Sequence, residues 1–290
     1  MNIPLKEAIA ALPPLKESLR RHGIITKKSL GQHFLFDLNL TDKIARSAGN
    51  VSHATVLEIG PGPGGLTRSL LSCGAARVVA VERDAACMPI LHELEAVAGE
   101  RLRIVETDAL ALDERAMFRE LGITPGDLRI IANLPYNIGT ELLFKWLEQP
   151  ELFSTMILMF QKEVADRIVA VPGCKDYGRL AVMTQWHYAA EKLFDIPPEA
   201  FFPPPKVHSS VVMLTRRPAP LAEANREVLS RVVKAAFGQR RKMLRASLRQ
   251  ISDHPIALLE QAGIDPTLRP EDIDIQAFCS LARVVATLSS

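Results

Sequence analysis

The chain has 290 residues, 48% of them hydrophobic and 23% charged, with 35 Lys and Arg against 33 Asp and Glu. Such an apolar composition at a net charge of +2 excludes a disordered chain, and a chain this long can bury roughly 75% of its unfolded surface, in one large domain or two unequal ones. The near-balance of charge also excludes a uniformly basic or acidic binding protein, so any nucleic-acid signal has to be local.

Cys73, Cys87, Cys174 and Cys279 lie far apart, with no CxxC pair and no Cys/His cluster at zinc spacing. They read as small buried hydrophobes, and neither a metal nor a disulfide is expected. No apolar run reaches the roughly 20 residues of a membrane span, and the N-terminus, which carries Glu7 and Glu17, lacks a signal-peptide core. The expectation is a cytoplasmic protein with no membrane partner.

Residues 1–30 read as a helical, basic lead-in broken at Pro13-Pro14. The chain then alternates. Apolar runs at 55–60, 77–82, 102–107, 128–133 and 154–161 predict strands, and the intervening stretches 66–71, 85–98 and 140–147 carry helical spacing. That order predicts an α/β domain with a mostly parallel sheet covered on both faces. Two further strands are predicted at 188–196 and 209–215, joined by the rigid proline-rich stretch 197–205 and forming a hairpin at one edge of the sheet. Residues 218–290 return to helical periodicity and predict a small all-helical domain, so the expected division is a lead-in over 1–30, an α/β domain over 31–217 and a helical domain over 218–290.

The strand Val56-Leu57-Glu58-Ile59 runs into Gly60-Pro61-Gly62-Pro63-Gly64-Gly65, and a helix follows. Glycines there permit a tight turn and close backbone approach to a ligand. Their spacing differs from GxGxxG, which disfavours a nicotinamide dehydrogenase. Glu82 ends the next strand, where a carboxylate can bond a ribose diol; a solvated strand end is the plainer alternative. Asp84 reads as a helix cap. Asp108, at the end of the third strand, either accepts a hydrogen bond from an adenine amine or caps the segment after it. The fourth strand ends in Asn133-Leu134-Pro135-Tyr136, a polar, rigid and aromatic combination at the sheet edge where open α/β folds bind ligands.

These segments, together with Lys28-Ser29-Leu30-Gly31-Gln32-His33-Phe34-Leu35, Phe202-Pro203-Pro204-Pro205-Lys206-Val207 and residues 237–248 (FGQRRKMLRASL), resemble the S-adenosylmethionine-dependent rRNA adenine N6-dimethyltransferases, most closely the small-subunit rRNA dimethyladenosine transferases. The resemblance covers nearly all of the chain beyond residue 26. It implies the class I methyltransferase fold, Rossmann-like with a mostly parallel seven-stranded sheet, and a helical C-terminal domain. It also implies S-adenosylmethionine as methyl donor, S-adenosylhomocysteine as product and, as substrate, two adjacent adenosines in the 3′-terminal hairpin loop of small-subunit (16S) rRNA, each methylated twice during ribosome biogenesis. The small ribosomal subunit is the implied partner of a monomer that uses no metal.

By the same resemblance, the Asn133 side-chain oxygen and the Leu134 carbonyl accept the two hydrogens of the target amine, which becomes tetrahedral as it attacks; Pro135 aims that carbonyl, and Tyr136 and Phe202 stack on the base. Phe201 is the expected core neighbour. Gly60, Gly62, Glu82, Asp108 and Asn133 line the cofactor site, which His33 and Leu35 cover at its methionine end. His208 and Ala246 stand where relatives often have Asp and Asn; these departures touch RNA contacts, not the chemistry. Residues 231–249 hold Arg231, Lys234, Arg240, Arg241, Lys242, Arg245 and Arg249 and no acid. At i, i+4 spacing Arg241, Arg245 and Arg249 share one face of a helix, and with Arg240 and Lys242 they are the expected RNA contacts; a merely solvated face is the alternative. Two other readings remain open: a large-subunit rRNA adenine dimethyltransferase of the erythromycin-resistance type, and a non-catalytic nucleic-acid-binding assembly or transcription factor on the same fold.

Overall fold

The computed structural model describes residues 4–24, 33–123 and 126–288. Residues 28–32 of the N-terminal motif lie outside that range. Two short helices open the chain, α1 (Leu5–Ala10) and α2 (Leu15–Arg21), preceded directly by Pro4 and Pro14. A proline is tolerated there because the first N–H groups of a helix lack intrahelical partners.

The α/β part follows as β1 (Phe34–Leu35), α3 (Leu38–Ser47), β2 (Ala54–Ile59), α4 (Gly65–Ser72), β3 (Arg77–Glu82), α5 (Met88–Ala98), β4 (Leu102–Glu106), α6 (Glu114–Glu120), β5 (Asp127–Asn133), α7 (Gly139–Trp146) and β6 (Thr155–Gln161). Next come α8 (Lys162–Val169), α9 (Arg179–His187), β7 (Tyr188–Ile196), β8 (Phe201–Phe202) and β9 (Ser209–Arg216). The last helices are α10 (Arg226–Gly238), α11 (Leu244–Ser247), α12 (Pro255–Gln261) and α13 (Ile275–Leu288).

Seven strands form one sheet in the order β4-β3-β2-β5-β6-β9-β7. The first five run parallel, and β9 is antiparallel to β6. Val56, Leu57, Val78, Val79, Ile130, Ile131, Ile157 and Leu158 are buried, as strands covered on both faces require. The strand order reverses between β2 and β5, so a crevice opens at their carboxyl ends. As expected, β7 and β9 occupy one side of the sheet, with β7 outermost.

A second, two-stranded ribbon has no counterpart in the strands predicted from sequence. In it β1 pairs antiparallel with β8, Phe34 opposite Phe202 and Leu35 opposite Phe201. Phe201 is buried, whereas Phe202 is 54% exposed.

The chain divides into two compact units. One comprises Met1–Ala165 and Lys192–Thr215; the other comprises Asp166–Glu191 and Arg216–Ser290, so the helical unit also draws on a stretch inside the expected 31–217 domain. Its core holds the rings of Tyr177, Phe237 and Phe278, with centroids 6.0 and 5.6 Å apart in successive pairs. Around them Leu229, Val232, Val233, Leu244, Leu248 and Leu281 are buried.

Two expectations are corrected. Cys87 and Cys279 are buried and Cys73 partly so, but Cys174 is exposed. It lies in the turn after α8, which the Gly173 N–H ties to the Glu271 carbonyl through the main chain rather than by burying the thiol. The arginines of residues 241–249 also do not ride on one continuous helix. Helix α10 ends at Gly238, Gln239 leaves helical geometry at φ −128° and ψ 53°, and residues 239–243 form a turn before α11.

Candidate active site

One cavity opens at the carboxyl ends of β2, β3, β4 and β5, lined by His33, Phe34 and Leu35, the glycine turn after β2, Glu82, Arg83, Asp108 and residues 133–138. The structure therefore brings together Asn133, Leu134, Pro135, Tyr136, His33, Leu35, Gly60, Gly62, Glu82 and Asp108. Phe202 does not line that cavity, but its pairing with Phe34 and a ring contact with Phe36 (centroids 5.8 Å apart) hold it beside the cover strand β1.

Two positions of the glycine turn leave no room for a Cβ. Gly62 has a φ of +55°, and a Cβ there would lie 2.6 Å from the Phe34 ring. A Cβ on Gly65 would lie 2.8 Å from the Leu35 carbonyl oxygen. Strand β1 can rest on the turn only because both positions are glycine.

Glu82 is buried, and its carboxylate accepts the backbone N–H of Gly62 at 2.9 Å and those of Arg83 and Asp84 at 2.8 Å. Burial raises its pKa, and those three N–H donors oppose the rise. Glu82 thus pins the glycine turn to β3. A carboxylate has about four acceptor sites, so with three taken, capacity remains for one hydroxyl of a ribose. Asp84 caps the following turn by accepting from Ala86 N–H, as expected.

Asp108 accepts the Leu110 N–H through Oδ1 and the Arg83 guanidinium through Oδ2, both at 3.0 Å. It closes its own turn and does not cap α6, which Asp113 caps instead. Arg83 was not singled out from sequence; its position next to Glu82 is the only signal that could have found it.

Glu58 is fully buried beneath the turn, and the Thr67 hydroxyl donates to it at 2.6 Å. Burial pushes its carboxyl up to about 8; the Thr67 bond works against that rise and nearby Glu82 adds to it.

The turn at residues 133–136 is held from the side of residues 33–35. The Asn133 amide donates to the His33 carbonyl at 3.1 Å, and His33 Nδ1–H donates to the Pro203 carbonyl at 2.7 Å. The His33 and Tyr136 rings lie 5.4 Å apart at 30°. The Tyr136 hydroxyl hydrogen-bonds the buried Ser209 Oγ, an anchor that sequence reading missed because 73 residues separate the partners.

Among the basic residues of the helical unit, Arg241, Lys242, Arg245 and Arg249 are exposed. Arg240 is partly buried: it lies 3.6 Å from the Glu271 carboxylate and donates to the Cys174 carbonyl at 3.4 Å.

The ribosomal RNA adenine dimethylase family model matches residues 24–287. The chain is 54% identical to the ribosomal RNA small subunit methyltransferase A of Rhodospirillum rubrum over 96% of this chain and 94% of that protein. It is also 54% identical to the protein of that name from Mesorhizobium japonicum, over 96% of this chain and all of the relative. Among solved structures it is similar to a dimethyladenosine transferase from Plasmodium falciparum, with a TM-score of 0.73 and 25% identity over 89% of this chain and 98% of that one. It is likewise similar to the 23S rRNA methyltransferase ErmE, with a TM-score of 0.64 and 26% identity over 87% of this chain and 99% of the other. The fold is that of the class I S-adenosylmethionine-dependent methyltransferases. With this fold, this site and these relatives, the chain belongs to the ribosomal RNA adenine dimethylase family.

Proposed function

We propose that this protein dimethylates the N6 amines of two adjacent adenosines in the 3′-terminal hairpin loop of small-subunit rRNA, using S-adenosylmethionine, as a step in ribosome biogenesis. The observation that carries this reading is the single cavity shared by the glycine turn, Glu82 and Asp108 on one side and residues 133–136 on the other. The residues fit the cofactor: glycines leave the floor open, Glu82 has acceptor capacity for a ribose, and Asp108 presents a carboxylate for an adenine amine. S-adenosylmethionine supplies an electrophilic methyl group.

The remaining chemistry belongs to the chain. An exocyclic adenine nitrogen is a poor nucleophile because its lone pair is delocalised into the ring. Asn133, its amide N–H committed to the His33 carbonyl, presents its oxygen as acceptor, and the Leu134 carbonyl is the second. Two fixed acceptors draw the amine towards tetrahedral geometry and stabilise the positive charge that develops on it. No base has to act first, since the proton leaves after nitrogen has become cationic. Tyr136, anchored by Ser209, and the exposed ring of Phe202 hold the base once it has left its stack. His33, Leu35, Gly60 and Gly62 enclose the methionine end.

Arg241, Lys242, Arg245 and Arg249 contact rRNA phosphates in this reading, with Arg240 bracing the turn that carries Arg241 and Lys242. In this reading the protein acts in the cytoplasm as a monomer and uses no metal. Among the described residues no helix is long and apolar enough to cross a membrane. Incubation with radiolabelled S-adenosylmethionine and unmethylated small subunits tests the reading, and labelled dimethyladenosine in the small-subunit rRNA is the expected product. Absence of product with folded protein and competent subunits overturns it; in a parallel incubation with unmethylated large subunits, label there and none in the small subunits replaces it with the erythromycin-resistance type of activity.

A further inference from the structure

Helix α7 starts six residues beyond Asn133 and ends beside the loop that carries Asp108. In its last turn the Lys145 ammonium donates to the Ala109 carbonyl at 2.8 Å and to the Leu112 carbonyl, and it pairs with the Glu114 carboxylate at 2.9 Å. Three N–H groups therefore meet three acceptors. The same Glu114 oxygen accepts the Trp146 indole N–H at 2.8 Å, and Glu114 and Trp146 are both buried. Ala109 follows Asp108 directly, and both line the cavity. The Asp108 carboxylate closes its turn on the Leu110 N–H, and the Ala111 N–H closes the same turn on the Asp108 carbonyl. Arg83 holds the other Asp108 oxygen at 3.0 Å, so the orientation of Asp108 is set by Arg83 and by the 108–112 loop, and that loop is held at two of its carbonyls by a single ammonium.

We propose that Lys145 is a positioning residue that sets Asp108 for recognition of the cofactor's adenine amine, with Glu114 and Trp146 fixing the ammonium. This rests on the reading of Asp108 as the acceptor for that amine. A loop that shifts by a fraction of an ångström keeps the pocket but loses the directional bond to N6. Lys145 therefore governs discrimination at adenine position 6 rather than cofactor binding in general.

The test compares S-adenosylhomocysteine with S-inosylhomocysteine, in which a carbonyl replaces the 6-amine, by calorimetric titration. Lys145→Met alone leaves Glu114 buried without its cation, which endangers folding. The informative variant is therefore Lys145→Met with Glu114→Gln, which keeps an acceptor for Trp146. The unaltered protein prefers the adenine compound. In the double variant, affinity for it falls about tenfold, the value of one hydrogen bond, while affinity for the inosine compound changes less than about twofold. Turnover on small subunits at saturating methyl donor stays within about twofold of the unaltered enzyme, because residues 133–136 are intact. Lys145→Arg, which retains donors at that position, restores most of the preference. Equal binding of the two compounds by the unaltered protein overturns the Asp108 reading and this proposal with it. A preference that survives in the folded double variant, or an equal loss for both compounds, overturns the role of Lys145 alone.

Discussion

The side-chain amide of Asn133 donates to the main-chain carbonyl of His33, 3.1 Å away and 100 residues earlier in the chain. The bond joins the proposed catalytic turn to the segment that leads into β1 across the same cavity, and it decides which end of the Asn133 amide is left to accept. A carboxylate at 133 would set oxygen against oxygen. Asn133→Asp is accordingly expected to lower methyl transfer by about 100-fold or more and to weaken S-adenosylhomocysteine binding as well, since the cover is repelled. Asn133→Ala should lose transfer to a similar degree yet keep most of the cofactor affinity. Single-turnover rates and calorimetric titration separate the two, and normal turnover in either variant would remove Asn133 from the acceptor role.

Gly62 gives a second handle on the same cover. An alanine there must hold a left-handed φ, which costs about 1–2 kcal/mol, and its Cβ would also displace the Phe34 ring. Gly62→Ala is expected to lower Tm by roughly 2–8 °C and to weaken cofactor binding about tenfold or more, because β1 can no longer lie on the turn. Thermal unfolding with and without S-adenosylhomocysteine measures both effects. Unchanged affinity in the folded variant would mean that β1 does not form the cofactor cover.

What was legible in the sequence follows from range. Arg77-Val78-Val79-Ala80-Val81-Glu82 is a β-branched run bounded by polar ends, and β3 occupies those six residues. The glycine turn, Glu82, Asp108 and residues 133–136 could be placed because each sits at the end of such a run. Strands β1 and β8 are two residues long, below any periodicity, and exist only because Phe34 meets Phe202 at a sequence separation of 168. Ser209, which anchors Tyr136 from 73 positions away, carries no local signal. The i, i+4 spacing of Arg241, Arg245 and Arg249 assumes one helix, and Gly238 and Gln239 end it before Arg241. The expected 31–217 domain includes residues 179–187, yet α9 belongs with the helical unit, because local apolar spacing does not say which core a helix joins.

Glu58 predicts a pH dependence of stability. Its carboxyl titrates near 4.5 when unperturbed and is pushed up to about 8 by burial in the folded protein. Between those values the folded state holds a proton that the unfolded state has released. The contribution of Glu58 is therefore fully present below about pH 4.5 and is lost as pH rises towards about 8, at about 1.4 kcal/mol per pH unit. Glu58→Gln keeps an acceptor for the Thr67 hydroxyl and cannot ionise. It should flatten the stability curve across this window and exceed the unaltered protein most at about pH 8. Urea unfolding at about pH 5 and about pH 8 reads the difference, and an identical slope in both proteins would show that Glu58 is not held protonated.

Arg240 and Arg241 are neighbours in sequence with different expected effects. Arg240 reaches Glu271 and the Cys174 carbonyl, so it ties the turn before α11 to two other segments of the helical unit. Arg241 is exposed in that turn. Arg241→Ala should leave Tm unchanged, weaken binding to small subunits, and reduce the slope of log K against log salt by about one, as the loss of one phosphate contact requires. Arg240→Ala should lower Tm by roughly 2–4 °C, for about 1 kcal/mol of lost bonding at an incompletely exposed pair, and change the salt slope only as far as the turn distorts. Charge reversal at Arg241 and Arg245 together should deepen the salt-sensitive loss. Affinity and salt slope in that double variant equal to those of the unaltered protein would exclude this basic segment from the RNA contact, and a salt slope that falls by one in Arg240→Ala at unchanged Tm would reassign the phosphate contact to Arg240.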